Sequence, residues 1–180
     1  EKDVISAAGS KYALSPTNRE VNRAVSADPC RLAVVSLPCQ ATGLRKRESL
    51  PELEGAQEGG IGLIIGLFCT WALGQRGWRS LLKKYVGGGC VINMDIPPPP
   101  ANKLIIETTG KRIEIPLDEV QPHVRPGCRV CLDMTAENAD VSVGMVEGME
   151  GCNTVITRTE TGAGIVSEAL ERGLLEKEAL

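Results

Sequence analysis

The stretch Leu32-Ala33-Val34-Val35-Ser36-Leu37-Pro38-Cys39 decides how the rest of the chain is read. A continuous apolar run, centred on paired valines and stopped by a proline, describes a strand buried on both faces, the kind that parallel sheets contain. A second such run occupies residues 61–68, Ile61-Gly62-Leu63-Ile64-Ile65-Gly66-Leu67-Phe68, again followed at once by a cysteine, Cys69. Between the two runs, residues 45–60 are polar and Glu-rich and read as a connection or short helix. Upstream, Ser15-Pro16-Thr17 leads into residues 18–27, where Val21, Ala24 and Val25 fall at helical spacing and Glu20 favours the dipole of the first turn.

Downstream the pattern alternates. Trp78, Leu81, Leu82 and Tyr85 fall at i, i+3, i+4 and i+7, one face of an amphipathic helix that Gly87-Gly88-Gly89 ends. Residues 91–96 read as a strand, and Pro97 to Pro100 as a stiff connector that cannot donate ladder bonds. Residues 104–107 and 112–115 flank Thr108-Thr109-Gly110 as a surface hairpin. Two short strands follow at residues 141–146 and 154–157, and Ile165, Val166, Ala169 and Leu170 give a closing helix. Gly162-Ala163-Gly164 reads as the start of that helix. A dinucleotide fingerprint needs a further strand with an acidic residue about 20 positions on, and the chain after Gly164 is too short for it. The fold class is therefore α/β of mixed α+β character, with a central, largely parallel sheet flanked by helices and a hairpin-containing C-terminal part.

At 180 residues and 42% apolar content the chain suits a single hydrophobic core. Seven cysteines accompany one histidine and only five aromatic residues, Tyr12, Phe68, Trp71, Trp78 and Tyr85. A multi-histidine zinc or iron centre lacks its ligands, and a base-stacking platform lacks its aromatic faces. Twenty basic and twenty-three acidic side chains give a net charge of −3 with no basic stripe standing out, which argues against nucleic-acid binding. The nearly unbroken apolar stretch at residues 61–74 is shorter than the roughly 20 residues of a membrane helix, so no membrane insertion is expected. The chain opens on polar and charged residues without a signal-peptide pattern, and its cysteine count is odd. Reduced thiols in a cytoplasm are the expectation.

The cysteines are where chemistry can sit. Cys39 and Cys69 each lie just past a buried run, so if those strands are parallel neighbours both thiols emerge at the carboxyl edge of the sheet, where ligands of open α/β sheets collect. Far downstream, Gly127-Cys128-Arg129-Val130-Cys131 supplies a C-x-x-C pair, a spacing that lets two thiolates hold one metal centre. Four sulfurs can thus converge, and a tetrahedral all-cysteine site suits zinc or a [4Fe-4S] cluster equally. Taken alone, a single C-x-x-C leaves iron–sulfur, structural zinc, dithiol redox and coincidence all open. Cys30, Cys90 and Cys152 have no partner by spacing and read as structural. Ala8-Gly9-Ser10-Lys11-Tyr12 combines a permissive glycine, a hydroxyl and a cation in a loop, which is a solvated turn unless it holds a phosphate or a flavin ring. His123 reads as a surface histidine, and Asp133, Glu137 and Asp140 as a solvated face or caps.

Six motifs occur in order: Ala7-Ala8-Gly9-Ser10-Lys11-Tyr12 with Ser15-Pro16, Leu37-Pro38-Cys39-Gln40-Ala41-Thr42-Gly43-Leu44-Arg45-Lys46, Ile65-Gly66-Leu67-Phe68-Cys69, Gly127-Cys128-Arg129-Val130-Cys131-Leu132-Asp133, Ala139-Asp140-Val141-Ser142-Val143-Gly144 and Thr154-Val155-Ile156-Thr157-Arg158-Thr159. Together they resemble the beta subunit of coenzyme F420-reducing hydrogenase and its relatives in F420-dependent formate dehydrogenase and F420H2 dehydrogenase. The resemblance spans essentially the whole chain, as one beta-subunit-like domain over residues 1–180 without the family's N-terminal segment. It implies a cytoplasmic iron–sulfur flavoprotein, an oxidoreductase subunit in which FAD exchanges a hydride with coenzyme F420 and a [4Fe-4S] cluster in the C-terminal part passes single electrons. The implied partners are hydrogenase, formate dehydrogenase or other redox subunits in a hetero-oligomer. By the same resemblance Cys39, Cys69, Cys128 and Cys131 match the cluster cysteines. Gly9, Ser10, Lys11 and Tyr12 match a motif near the flavin, and Gln40, Thr42, Gly43 and Arg45 flank the cluster and flavin region. Two alternatives stand beside this: a non-catalytic interaction domain stabilised by zinc on the same four cysteines, and the same electron-transfer module using NAD(P)H or ferredoxin.

Overall fold

Both valine- and isoleucine-rich runs form strands, and they lie side by side in parallel, Leu32 against Ile61 at one end and Ser36 against Gly66 at the other. This computed structural model describes residues 2, 9, 12–27, 31–50, 60–146, 148–149 and 151–178. In chain order its elements are α1 (Thr17–Ala27), β1 (Leu32–Ser36), α2 (Pro38–Glu48), β2 (Ile61–Leu67), α3 (Gln75–Leu81) running into a π turn (Leu82–Val86), β3 (Val91–Asp95), β4 (Lys103–Thr108), β5 (Arg112–Pro116), α4 (Leu117–Val120), two 3₁₀ turns (Gln121–His123 and Pro126–Val130), β6 (Val141–Met145), β7 (Asn153–Thr157) and α5 (Glu160–Glu171). They divide into two units, each discontinuous in sequence: the first takes Glu1–Ser15 and Trp71–Cys131, the second Pro16–Thr70 and Leu132–Leu180.

The second unit is built on a four-stranded sheet in the order β1-β2-β6-β7. β1, β2 and β6 are parallel, and β7 returns antiparallel to β6. The parallel pair needs a crossover, which α2 begins directly after β1. Proline at residue 38 does stop the strand, but it does so by opening a helix, because its fixed φ and missing N–H suit a first helical turn. The helix takes in residues 45–48, the start of the stretch read as a connection or short helix. Val21 and Val25 of α1, Ala41 and Leu44 of α2, Val34, Ile61 and Ile64 of the strands, and Ala136 and Ala139 form one buried cluster. That cluster lies on one face of the sheet. On the other face Val35, Leu67, Met145 and Val155 are exposed, so the strands are not buried on both sides as their composition suggests.

Close approach shapes the end of this sheet. Thr159 caps α5, its hydroxyl accepting the Gly162 N–H at 3.2 Å. A Cβ on Gly162 would lie 2.1 Å from the carbonyl oxygen of Asp140. Gly162→Ala is accordingly expected to cost about 2 kcal/mol of stability, the scale of overpacking a tight contact, read as a lower midpoint in denaturant unfolding.

The first unit carries a three-stranded antiparallel sheet, β3-β4-β5. The expected hairpin is β4–β5, with Ile106 opposite Ile113 and Thr108 closing the turn onto Lys111. Leu73, Leu81, Val86, Met94, Leu104, Ile106, Ile115 and Val120 form its core, and Tyr12, Trp71, Trp78 and Tyr85 pack half-buried around it. The π turn ends at Gly87 with φ +69°, a left-handed conformation that glycine adopts without strain. The two ends of the 71–131 stretch are pinned together: Leu73 bridges Val124, and the Arg125 N–H donates to the Ala72 carbonyl at 3.0 Å.

Candidate functional site

Cys39 and Cys69 leave the second unit's sheet at matching positions. Ser36 and Gly66 are register partners at the ends of β1 and β2, and each cysteine lies three residues beyond its own member of that pair. Both thiols therefore belong to the carboxyl edge of parallel strands. Cys39 is exposed in the first turn of α2, and Cys69 is half-buried, with its N–H donated to the Met134 carbonyl at 2.9 Å. Gly66 lets the 132–140 segment cross the end of β2. A Cβ there would sit 2.3 Å from the Cβ of Ala136. At the same edge the Ser36 hydroxyl is buried without a hydrogen-bond partner among the described residues.

Gln40, Thr42, Gly43 and Arg45 brace this edge from α2. The Gln40 amide oxygen accepts the Leu37 N–H at 2.9 Å, and its NH2 donates to the Thr17 hydroxyl at 3.1 Å. Thr42 donates to the Pro38 carbonyl and accepts from Asn138, both at 3.1 Å. Gly43 makes room for Asn18, whose amide nitrogen would lie 2.6 Å from a Cβ. Arg45 spreads its guanidinium over the Asn138 carbonyl at 3.1 Å, Glu48 at 2.9 Å and Asp140 at 2.8 Å. Asp140, read from sequence as solvated, is instead buried. Its other contacts are the Ile64 N–H at 2.7 Å and the Thr159 hydroxyl at 2.8 Å. Asp133 is a cap as expected, accepting the Glu137 N–H at 3.2 Å.

Cys128 and Cys131 belong to the first unit. The 3₁₀ turn Pro126–Val130 holds Cys128, whose N–H donates to the Arg125 carbonyl at 3.0 Å, and Cys131 follows as the capping residue, its N–H 3.4 Å from the Cys128 carbonyl. Positions i and i+3 eclipse in 3₁₀ geometry, so the C-x-x-C spacing brings the two residues to one side of the turn. Cys128 Sγ lies 4.0 Å from the Ala72 carbonyl. Tyr12 accepts the Ile96 N–H at 3.0 Å and its ring centroid is 5.8 Å from that of Trp71. Gly9 has φ +103°, while Ser10 and Lys11 lie outside the described residues.

The donor set tests which groups these residues fit. Cys39, Cys69, Cys128 and Cys131 are thiols rather than disulfides, and soft sulfur donors of this kind suit zinc or an iron–sulfur cluster. Among the described residues no three His, Cys, Asp or Glu side chains are already gathered at metal-binding distances. Among the same residues no helix is long and apolar enough to cross a membrane.

Residues 30–180 match the family model for the C-terminal part of the coenzyme F420 hydrogenase/dehydrogenase beta subunit. The chain belongs to that family. Among its relatives is the coenzyme F420 hydrogenase subunit beta of Methanothermobacter thermautotrophicus, 33% identical over 94% of this chain and 60% of the relative. The coenzyme F420-dependent sulfite reductase of Methanocaldococcus jannaschii is 36% identical over 91% of this chain and 27% of its own length. A chain of the F420-reducing [NiFe] hydrogenase complex from Methanosarcina barkeri superposes with a TM-score of 0.80 at 28% identity, covering 96% of this chain and 60% of that one. The chain thus spans about three-fifths of the length of the F420 hydrogenase beta subunits it matches.

Proposed function

We propose that this member of the F420 hydrogenase/dehydrogenase beta-subunit family is an electron-transfer oxidoreductase subunit, with Cys39, Cys69, Cys128 and Cys131 as the ligands of a [4Fe-4S] cluster. The observation that carries the reading is the matched placement of Cys39 and Cys69, each three residues past a registered pair at a parallel-sheet edge, in a chain of this family. When bound, the cluster supplies one-electron transfer, and FAD supplies the conversion between single electrons and the hydride of coenzyme F420. The chain's own part is to present four thiolates in a reducing compartment such as the cytoplasm, and to brace Cys39 through the Gln40 and Thr42 hydrogen bonds of α2. In this reading Gly9, Ser10, Lys11 and Tyr12 lie toward the flavin, and Gln40, Thr42, Gly43 and Arg45 act as positioning residues behind the edge. The partner is a hydrogenase, formate dehydrogenase or comparable redox subunit.

Anaerobic reconstitution tests the proposal. About four irons and four sulfides per chain, with broad visible charge-transfer absorption, are expected. Stoichiometric zinc in a colourless protein would replace the cluster by a structural site. In the assembled complex, hydride uptake from reduced F420 is expected, and turnover with NAD(P)H or ferredoxin alone would reassign the substrate.

A further inference from the structure

Two stretches of the first unit carry cations and no carboxylate. Residues 71–94 hold Arg76, Arg79, Lys83 and Lys84 without a single Asp or Glu, and residues 121–131 hold Arg125 and Arg129, again without one. The fold packs these stretches together: Leu73 pairs with Val124, the Gly74 N–H donates to the His123 carbonyl at 3.0 Å, and Gly77 leaves room for the His123 ring. Along α3 and the π turn, Arg76, Arg79 and Lys83 recur at helical spacing on the exposed side, a ridge roughly 10 Å long. Lys84, within the first stretch, reaches Glu119; among the unit's other cations Lys103 and Arg112 both reach Glu114, and Lys111 reaches the Tyr85 carbonyl at 3.4 Å. Arg76, Arg79, Lys83 and Arg125 have no ion-pair partner among the described residues.

The concentration of like charge is set beside the C-x-x-C turn. Arg125 and Arg129 flank Cys128, and Val130, between Arg129 and Cys131, is 78% exposed. An exposed apolar side chain among cations is the make-up of a small protein interface, an anchor with a polar rim. Cations strung along a helix suit a broad carboxylate-bearing surface better than a small anion, which needs donors converging on one point.

We propose that Arg76, Arg79, Lys83, Arg125 and Arg129, with Val130, form the surface on which an acidic electron-transfer protein docks against the first unit beside Cys128 and Cys131. The inference rests on the redox reading of those cysteines. Long-range attraction then sets the encounter rate, and the contact area is the modest one of transient redox partners.

Binding, measured without reference to electron flow, tests it. The folded chain is passed over an immobilised small acidic ferredoxin and, separately, over basic cytochrome c. Affinity for the ferredoxin is expected to fall about tenfold or more as salt rises from about 20 to about 200 mM. The charge-reversed variant R76E/R79E/K83E is expected to lose about tenfold or more at low salt and to gain affinity for cytochrome c. A variant with the same charge change elsewhere, R19E/R23E/K177E, is expected to bind the ferredoxin within about twofold of the parent. Salt-independent binding, equal binding by the two variants, or preferential binding of inorganic polyphosphate would overturn the assignment, the last by transferring the surface to a small polyanion. Failure of the cluster reading looks different: iron-free protein that still binds the ferredoxin in a salt-dependent way.

Discussion

Cys128→Ser or Cys131→Ser is expected to abolish iron–sulfur reconstitution, with iron, sulfide and visible absorption all falling to background. Serine keeps the size and the backbone of the 3₁₀ turn but offers a hard oxygen where iron in a cluster takes soft thiolate. The backbone hydrogen bonds of the turn do not involve the sulfurs. They run from the Cys128 and Cys131 N–H groups to the Arg125 and Cys128 carbonyls, so the variants should stay folded. Cys90→Ser supplies the control, because Cys90 is exposed and its sulfur lies 3.9 Å from the carbonyl of the next residue. Full reconstitution is expected there. Equal losses in Cys90→Ser and Cys128→Ser would mean that the ligand set is wrong.

Asp140→Ala is expected to destabilise the second unit by about 3 kcal/mol, since it strands the buried Ile64 N–H and removes the acceptor of both Thr159 and Arg45. The same carboxylate gives stability an acid limit. Burial pushes its pKa up, but the Ile64 N–H, the Thr159 hydroxyl and the Arg45 guanidinium together outweigh burial and hold it below the usual aspartate value. A depressed folded-state pKa contributes stability that is complete above the unfolded value of about 3.9 and fades as pH falls through the folded one. Denaturant midpoints measured from neutral pH down through that range should drop on the acid side for the parent and drop less for Asp140→Asn. Parallel curves would remove Asp140 from the account.

How much of this was legible beforehand depends on how far apart the interacting residues are. β1 and β2 announce themselves because valine and isoleucine favour a pleated, buried surface, and their parallel pairing follows from needing a crossover. α2 was hidden. Its buried positions are Pro38, Gln40, Ala41 and Leu44, too few apolar residues to show a stripe, and the readable signal was Pro38 followed by Gln40 at the position that caps the Leu37 N–H. Asp140 looked like one of three surface acids at near-helical spacing because its partners, Ile64 and Arg45, are far away in sequence. The division into two units escaped for the same reason: it is closed by bridges such as Ala13 to Leu73 and Leu73 to Val124, which no local pattern encodes. The cysteines were legible as chemistry because their residue type carries it. Ser36 and Gly66, which shape the edge beside them, are small residues that stand out in no periodicity. The basic surface was masked by a net charge of −3, since acidic residues are concentrated after Leu132 and cancel it in the total.

The Leu73–Val124 bridge bears on the order in which the chain assembles. β2 and β6 are hydrogen-bonded neighbours, yet the contact between Ile64 and Asp140 spans 76 positions of sequence. Closing so long a loop from an unfolded chain carries an entropic cost that grows with its logarithm and slows collapse. Once the first unit has formed, its β3-β4-β5 sheet from short and local pairings and then the Leu73–Val124 bridge, residues 73 and 124 are already held together. What remains is then the nine positions from Ile64 to Leu73 and the sixteen from Val124 to Asp140. The inserted stretch thus shortens the search for its host sheet, and its local hairpin is the natural early event in refolding.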